Sequence, residues 1–343
     1  MKKKRLAIYT GTGCKACEHA ILDLHYQVNP LTRGADLCFW PYLLGSTWNE
    51  LEKAERCDVA IYAGAIRTAA DAEAAARLRD KADLLVALGA CAAFGGLPGL
   101  INLVPPADRS ESDQTPDAEG PALPEAREKV AAVPSLVPVD YIVPGCPPPQ
   151  NFLWALLQCL LGRPGLLSRI SFAAHRLPEA LAQAATAGIP PRRGAVFAGE
   201  RAVCASCSRI KQEKRFTTAK RPQFLELDEG LCLLEQGLVC AGVATREGCG
   251  GLCTGVGAPC RGCYGKAENI IDPGAKLVSA ISSTFDAEKP DEVAKIVGDM
   301  VDLSGTFYRY TLASQCLLAA APPVAAESDS PAAPEALAAG EEA

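Results

Sequence analysis

Residues 6–17 read LAIYTGTGCKAC, an apolar run that passes directly into a glycine-rich loop with two cysteines. The run from Leu6 to Thr10 predicts a short buried strand, and an apolar-periodic helix is expected from Glu18 to Val28. Strands and helices then alternate along the first half of the chain, which predicts an α/β fold, a doubly wound parallel sheet with helices on both faces. Further strands are predicted at 35–40, 58–62, 84–88 and 141–143, and further helices at 69–81 and 151–161.

Four cysteines come directly after predicted strands. Cys14 and Cys17 follow the first strand, Cys91 follows the fourth and Cys146 follows the fifth. Ligands of doubly wound sheets bind beyond the carboxyl ends of the strands, so these four thiols predict a metal centre there. A cluster suits ligands from separate loops better than a zinc ribbon does, because ribbon ligands come from short local hairpins. Residues 11–16 also match a loose dinucleotide-binding pattern, but the acidic residue expected after the second strand is absent.

Eight more cysteines are concentrated in residues 204–263. Glycines separate the later ones, and the missing Cβ atoms let the backbone wrap closely around a bulky inorganic group. The ligand chemistry favours iron–sulfur clusters, with structural zinc sites and a disulfide framework as the weaker alternatives. This region is expected to be loop-rich and to be closed by two helices, at about 275–285 and 290–303.

Composition limits the classes of function. The 343 residues suffice for two domains with hydrophobic cores, and 49% hydrophobic with 22% charged residues is ordinary for a soluble globular protein. The net charge of −6 argues against nucleic acid as a main partner. No apolar stretch approaches the roughly 20 residues of a membrane span and no signal peptide is recognised, which predicts a cytoplasmic protein. Sixteen cysteines in that reducing compartment favour metal ligation over disulfides.

Shifts in composition predict the domain organisation. The predicted units are a first domain at 1–166, a linker at 167–198, a second domain at 199–318 and a disordered tail at 319–343. One weak helix is expected in the linker, near 178–187. Residues 105–138 are rich in Pro, Ala and acidic residues, which predicts a long surface insertion with a short helix near 125–130.

The cysteine motifs resemble those of the small subunit of nickel–iron hydrogenases, especially the cytoplasmic branch with sulfhydrogenases and methyl-viologen-reducing enzymes. The matching stretches occur in the family's order between residues 12 and 265: TGCKACEHAILD, LGACAAFGG, PGCPPP, CASC, CLLEQGLVCAG, TREGCGGLC and PCRGCYG. The resemblance implies a flavodoxin-like first domain, followed by a loop-rich iron–sulfur domain with a few helices.

The resemblance also implies three groups of four thiolates, each suited to a [4Fe–4S] cluster. The proximal group is Cys14, Cys17, Cys91 and Cys146; the distal group is Cys204, Cys207, Cys232 and Cys240; the medial group is Cys249, Cys253, Cys260 and Cys263. Two ligands depart from the periplasmic branch of the family. In the periplasmic branch the first distal ligand is commonly histidine, whereas here it is Cys204. The medial centre of that branch often has three cysteines, whereas here Cys253 provides a fourth.

The implied function is electron relay. In such an enzyme a large subunit carries the nickel–iron site, and the small subunit passes electrons through the proximal, medial and distal clusters to a further electron-transfer subunit, a flavin or iron–sulfur protein. No catalytic residue is expected in this chain. One alternative is the cluster-bearing subunit of a complex-I-like oxidoreductase without hydrogenase activity, which shares the first-domain motifs. A zinc-stabilised interaction protein is the other.

Four cysteines stand outside the twelve. Cys38 and Cys159 are expected to be buried small hydrophobic residues, while Cys57 and Cys316 have no assigned role. Glu18 is expected to stabilise the N-terminus of its helix.

Histidines and basic residues are the other candidates for functional roles. His19, His25 and His175 are expected to be structural rather than ligands. A basic cluster is expected either to form a solvated loop or to dock an acidic electron carrier. Its members are Arg209, Lys211, Lys214, Arg215, Lys220 and Arg221.

Overall fold

The computed structural model describes residues 3–24, 34–109, 124–161, 187, 189–212, 216–221, 223 and 226–314. These residues form eight strands: β1 Lys4–Thr10, β2 Ala35–Phe39, β3 Cys57–Ala63, β4 Ile66–Thr68, β5 Ala82–Leu88, β6 Ala126–Ala131, β7 Tyr141–Val143 and β8 Ala195–Val196. Six of them form one parallel sheet in the order β2-β1-β3-β5-β7-β8. The predicted doubly wound parallel sheet is therefore confirmed, and its order is the flavodoxin-like one.

Helices cover both faces of this sheet. They are α1 Ala16–Leu22, α2 Pro41–Leu44, α3 Trp48–Lys53, α4 Ala69–Lys81, α5 Gly89–Phe94 and α6 Gln150–Leu161. Successive strand residues point to opposite faces, so Leu6 and Ile8 pack in the core formed with α1 and α6, while Ala7 packs in the core formed with α4. Each face of the sheet thus buries its own apolar cluster.

Most predicted boundaries agree with the structure. Helix α4 and strand β7 have the predicted bounds, and α6 begins one residue before the predicted 151–161. The start of α4 is encoded locally, because the Thr68 hydroxyl accepts a hydrogen bond from the Asp71 amide at 3.1 Å. Helix α1 begins two residues before Glu18 and ends at Leu22, whereas the predicted helix continues to Val28, and its part from residue 25 onward lies outside the described residues.

The short helix predicted near 125–130 is wrong. These residues belong to β6, which pairs antiparallel with β4. Only Val130 of β6 is buried, so the local pattern has no apolar face that would hold a helix against the core. The Asn102 side chain instead hydrogen-bonds to both the N–H and the C=O of Val130, at 2.9 Å each. Strand pairing and this amide together satisfy the backbone of the segment.

The sixth strand of the sheet, β8, lies inside the segment predicted as a linker. Ala195 and Val196 pair with Tyr141 and Ile142, which extends the sheet by one short strand. The weak helix predicted near 178–187 lies outside the described residues except for residue 187, as do residues 110–123 and the tail at 319–343. The predicted domain boundaries themselves stay predictions.

The cysteine-rich half has little regular structure, as expected. Its short helices are α7 Leu252–Gly255, α8 Pro273–Ser282, α9 Pro290–Gly298 and α10 Leu303–Phe307. Leu277, Ile281 and Ile296 from α8 and α9 bury a small core of their own. The helix predicted at 290–303 ends at Gly298, and α10 begins separately at Leu303. Asp302 adopts φ 50° and caps α10 by accepting a 2.9 Å hydrogen bond from Gly305.

The two halves pack closely beside the candidate site. The rings of Phe152 in α6 and Tyr264 meet edge to face, with centroids 6.0 Å apart. A Cβ atom on Gly265, which has φ 73°, would lie 2.4 Å from the Phe94 ring at the end of α5. Close contact between the cysteine-rich half and α5 therefore requires glycine at this position.

Candidate metal centres

The proximal group lies at the carboxyl edge of the sheet. Cys14 and Cys17 flank the start of α1, Cys91 lies in α5 just after β5, and Cys146 follows β7. Burial, followed by the nearby thiolates of Cys91, Cys146 and Cys14, raises the pKa of Cys17 to about 12. The structure thus brings together the four thiols that the sequence places on three separate loops.

Two glycines make room for these sulfur atoms. A Cβ atom on Gly89 would lie 2.3 Å from Cys17 Sγ, and one on Gly96 would lie 2.5 Å from Cys91 Sγ. Their φ angles are 84° and 57°, in the left-handed region that favours glycine. The backbone therefore approaches the proximal thiols more closely than any residue with a side chain would allow.

Asp71 anchors the loop that carries Cys14. Its Oδ2 accepts hydrogen bonds from the Thr12 hydroxyl at 2.8 Å and from the backbone amides of Arg67 and Thr68 at 3.0 and 2.9 Å. Thr12 also exchanges two backbone hydrogen bonds with Ala65. One buried carboxylate thus ties the cysteine loop, strand β4 and the start of α4 together.

Replacing Asp71 with Ala should lower the free energy of unfolding by about 2 kcal/mol, because three donors lose their acceptor and α4 loses a cap. Urea-induced unfolding of the purified protein measures the change. Glu73→Ala, on the same helix but exposed and paired only on the surface with Arg77, should change it by less than about 0.5 kcal/mol. Equal effects of the two substitutions would contradict the anchoring role.

Glu18 lies in the first turn of α1, directly after Cys17. The side chains of Glu18 and Trp40 are both buried, and the Trp40 indole N–H donates a 3.0 Å hydrogen bond to Glu18 Oε1. Glu18 Oε2 is also buried and has no hydrogen-bond partner among the described residues. The carboxyl group therefore joins the end of β2 to the cysteine loop in addition to its predicted position at the helix N-terminus.

The distal group comes together around Gly242. A Cβ atom on this glycine would lie 3.5 Å from Cys204 Sγ and 3.6 Å from Cys240 Sγ. Burial, followed by Cys240, Cys232 and Cys207, raises the pKa of Cys204 to about 11. All four thiols, drawn from a stretch with almost no regular structure, therefore lie close to one another.

The medial group forms a third set. Burial raises the pKa of Cys263, and the thiolates of Cys260, Cys249, Cys146 and Cys253 raise it further. Cys253 lies on α7 and is exposed, whereas Cys260 is buried.

The medial group lies between the other two. The Cys260 backbone N–H donates to Cys240 Sγ at 3.3 Å, which links it to the distal group. On the other side, Cys146 of the proximal group is close enough to raise the pKa of Cys263. The Tyr310 hydroxyl donates a hydrogen bond to Cys146 and also lies near Cys263. Tyr310 lies outside every cysteine motif, and no local signal in the sequence points to it.

Arg209 is partly buried in the cysteine-rich half. Its guanidinium donates to the carbonyl oxygens of Thr254, Leu231 and Asp228, at 2.6, 2.9 and 3.2 Å. It joins the loops that carry the distal and medial cysteines, so neither the solvated-loop nor the docking interpretation holds for this residue. Lys211 is exposed and near Cys204. Lys214 and Arg215 lie outside the described residues.

Three further cysteines and one histidine lie in the described residues outside the three groups. Cys159 is buried in α6, as expected. Cys38 is only partly buried, and its Sγ lies 3.2 Å from Sγ of the buried Cys57. His19 Nε2 lies 3.0 Å from the Tyr42 hydroxyl. His25, His175 and Cys316 lie outside the described residues.

Within the described residues, no three or more His, Cys, Asp or Glu side chains are arranged to hold a single metal ion. A [4Fe–4S] cluster does not need such a group, because its four cysteines each bind a different iron. In the same ranges, no helix has both the length and the apolar character that crossing a membrane requires.

Comparison with known proteins identifies relatives. Residues 14–160 match the family described as NADH ubiquinone oxidoreductase, 20 Kd subunit. The vhu G subunit of the F420-non-reducing hydrogenase of Methanococcus voltae is 32% identical over 319 residues, which cover 90% of this chain and 96% of that protein. The corresponding G subunit of Methanothermobacter thermautotrophicus is 33% identical, covering 88% and 91%. A chain of the solved [NiFeSe]-hydrogenase of Dm. baculatum aligns with 84% of this chain and 100% of its own length, at 17% identity and a TM-score of 0.47.

These relatives confirm the resemblance drawn from the motifs. The chain is a small subunit of a hydrogenase, and therefore a subunit of an oxidoreductase. Within this class, the chain belongs to the family of the G subunits of F420-non-reducing hydrogenases.

Proposed function

We propose that this chain relays electrons through three [4Fe–4S] clusters between a nickel–iron site on a partner large subunit and a further electron-transfer partner. The observation that carries the proposal is the arrangement of the twelve motif cysteines in three adjacent groups. The order proximal, medial, distal is supported by the electrostatic effect of Cys146 on Cys263 and by the hydrogen bond from the Cys260 N–H to Cys240 Sγ.

The donor sets suit such clusters. Each group offers four thiols, the ligand set of a [4Fe–4S] cube, and soft thiolates select iron–sulfur clusters or zinc over hard cations. Gly89, Gly96 and Gly242 leave room directly beside the sulfur atoms. Burial and neighbouring thiols raise the pKa of most of these cysteines, so iron binding must displace their protons.

The chain's own residues would hold the clusters, exclude water and tune their potentials. A bound cluster supplies one-electron transfer. The Tyr310 hydroxyl and the Cys260 amide each donate a hydrogen bond to a ligand sulfur, at Cys146 and Cys240 respectively. Such hydrogen bonds to cluster sulfurs set reduction potentials.

The large subunit would cover the proximal edge. Cys14 and Cys146 are exposed there. Beside them, α2 exposes Tyr42, Leu43 and Leu44, each with between 46% and 50% of its surface accessible. The Lys15 ammonium lies 4.5 Å from the centre of the Tyr42 ring, which ties this helix to the Cys14 loop. Adjoining exposed apolar side chains are typical of a protein interface.

The further electron-transfer subunit would dock at the distal group, where Cys204 is exposed and Lys211 lies nearby. A basic residue at this position would speed the encounter with an acidic electron carrier. A cytoplasmic location stays a prediction from the sixteen cysteines, whose number favours a reducing compartment.

Metal analysis tests the proposal directly. The anaerobically purified hydrogenase should contain, from this subunit, about 12 iron and about 12 acid-labile sulfide, since each cube contributes four of both. Large-subunit iron is subtracted by analysing that subunit alone. A colourless protein with stoichiometric zinc and no sulfide would instead establish the zinc-stabilised alternative.

The identity of the large partner subunit distinguishes a hydrogenase from the complex-I-like alternative. Copurification should yield a large subunit that oxidises H2, whereas the isolated chain should not. A large partner without two C-x2-C nickel-binding pairs would favour the alternative.

A further inference from the structure

The second half of the chain contains a cavity of about 430 Å³. Its walls come from residues 219–221 and 223 and from the segments 238–241, 259–261 and 299–309, and buried Cys260 of the medial group forms part of one wall. This volume lies in the range of small-molecule sites in proteins.

Positive charge dominates the cavity. Lys220, Arg221, Arg261 and Arg309 line it, against two carboxylates, Asp299 and Asp302. The Asp302 carboxylate is already engaged as the cap of α10. Among the described residues, none of these four cations forms an ion pair. Four cations around one concave space favour an anionic ligand.

Arg309 provides a second, independent observation. Its Nε is buried and has no hydrogen-bond partner among the described residues. A buried donor without an acceptor costs about 1–3 kcal/mol, so such groups in native proteins usually have a partner. Because this N–H is itself buried, an oxygen of a ligand in the cavity would accept from it only after the Arg309 side chain moves.

The lining also has an apolar part. Leu238, Met300 and Phe307 contribute to the walls, so the cavity offers apolar contact as well as charge. Guanidinium groups bind phosphate through paired, charge-assisted hydrogen bonds, and three of the four cations are arginines. We propose that this cavity binds a small organic phosphate, its phosphate oxygens on the arginines and its organic part against the apolar wall. None of the cations or apolar residues on which the proposal rests is among the twelve proposed cluster ligands.

Calorimetry on the anaerobically purified hydrogenase tests this site, with ADP and inorganic pyrophosphate as probes. Both should bind, and ADP should bind more tightly because only ADP covers the apolar wall. Affinity should fall as salt rises, since the contacts are ionic. Absence of binding by both probes at millimolar concentration would overturn the proposal.

Substitutions locate the binding. Arg261→Glu and Lys220→Glu, both at exposed positions, should each weaken ADP binding by about tenfold or more, and Arg309→Gln should do the same. Lys276→Glu, an equally exposed lysine on α8 outside the cavity, should leave it unchanged. If Arg309→Gln does not fold, the two exposed variants still decide the outcome. ADP binding that survives both, or that falls equally with Lys276→Glu, would place the site elsewhere and refute the inference.

Discussion

Replacing Cys17 with Ala should remove about four irons from the protein and lower H2-dependent dye reduction by about 100-fold or more. Cys17 lies at the centre of the proximal group, with three thiols near enough to raise its pKa. Losing even an outer partner of a metal ligand costs about 10- to 100-fold, so losing the ligand itself should cost at least as much. Under the proposed relay, electrons enter here, and no other group offers a way around it.

Iron analysis, EPR and dye-reduction assays measure these effects on the intact hydrogenase. Isotope exchange between H2 and water should persist, because it needs no electron exit. Cys159→Ala is the matched control: this thiol is buried too but lies in the apolar core of α6, away from the three groups. It should reduce stability and leave the iron content unchanged. Full iron content in Cys17→Ala would remove Cys17 from the ligand set.

Replacing Cys253 with Ala should convert the medial centre to a [3Fe–4S] cluster and slow turnover. Cys253 is the exposed member of its group, on α7, and it is one of the thiols that raise the pKa of Cys263. With three thiolates left, one iron has no protein ligand and should be lost. A cluster with higher potential then forms a trap midway along the relay. A rise of about 100 mV corresponds to about 2.3 kcal/mol for one electron, taking tenfold as about 59 mV.

EPR of the oxidised protein should show a new [3Fe–4S] signal, with slowed electron exit and intact isotope exchange. Val256→Ala, three residues later and also exposed, should retain the wild-type spectrum and rate. If Cys253→Ala also retains both, Cys253 is not a ligand and the partition of the eight later cysteines is wrong.

Some helices and strands were predicted correctly because caps and apolar patterns within a few residues specify them. Helix α4 has the predicted bounds because Thr68 caps its start and apolar residues recur along one face. The centre of β1 and most of β3 and β5 are buried, and these parts show as apolar runs in the sequence. The short helix predicted near 125–130 is wrong because the conformation of this segment depends on a partner strand and on Asn102, 28 residues from Val130.

The site residues likewise fall into those that local sequence identified and those whose role depends on tertiary contacts. The cysteine motifs and their order, read as a resemblance, were enough to identify a hydrogenase small subunit, because ligand types and glycine spacing are local properties of the sequence. Arg209 shows the opposite case: its basic neighbours suggested a surface, yet three carbonyl oxygens far along the chain bind its guanidinium.

The sequence by itself therefore determined the fold class, the family and the inventory of candidate ligands. The resemblance implied the partition of the thiols and their order as expectations, whereas the tertiary structure supplied the proximity of Cys146 to Cys263, the Cys260–Cys240 hydrogen bond and the position of Tyr310 beside Cys146. It also decided that four cations from separate segments surround one cavity. The physical reason is that proximity between distant segments depends on how the whole chain packs, and local patterns of residues do not encode those distances.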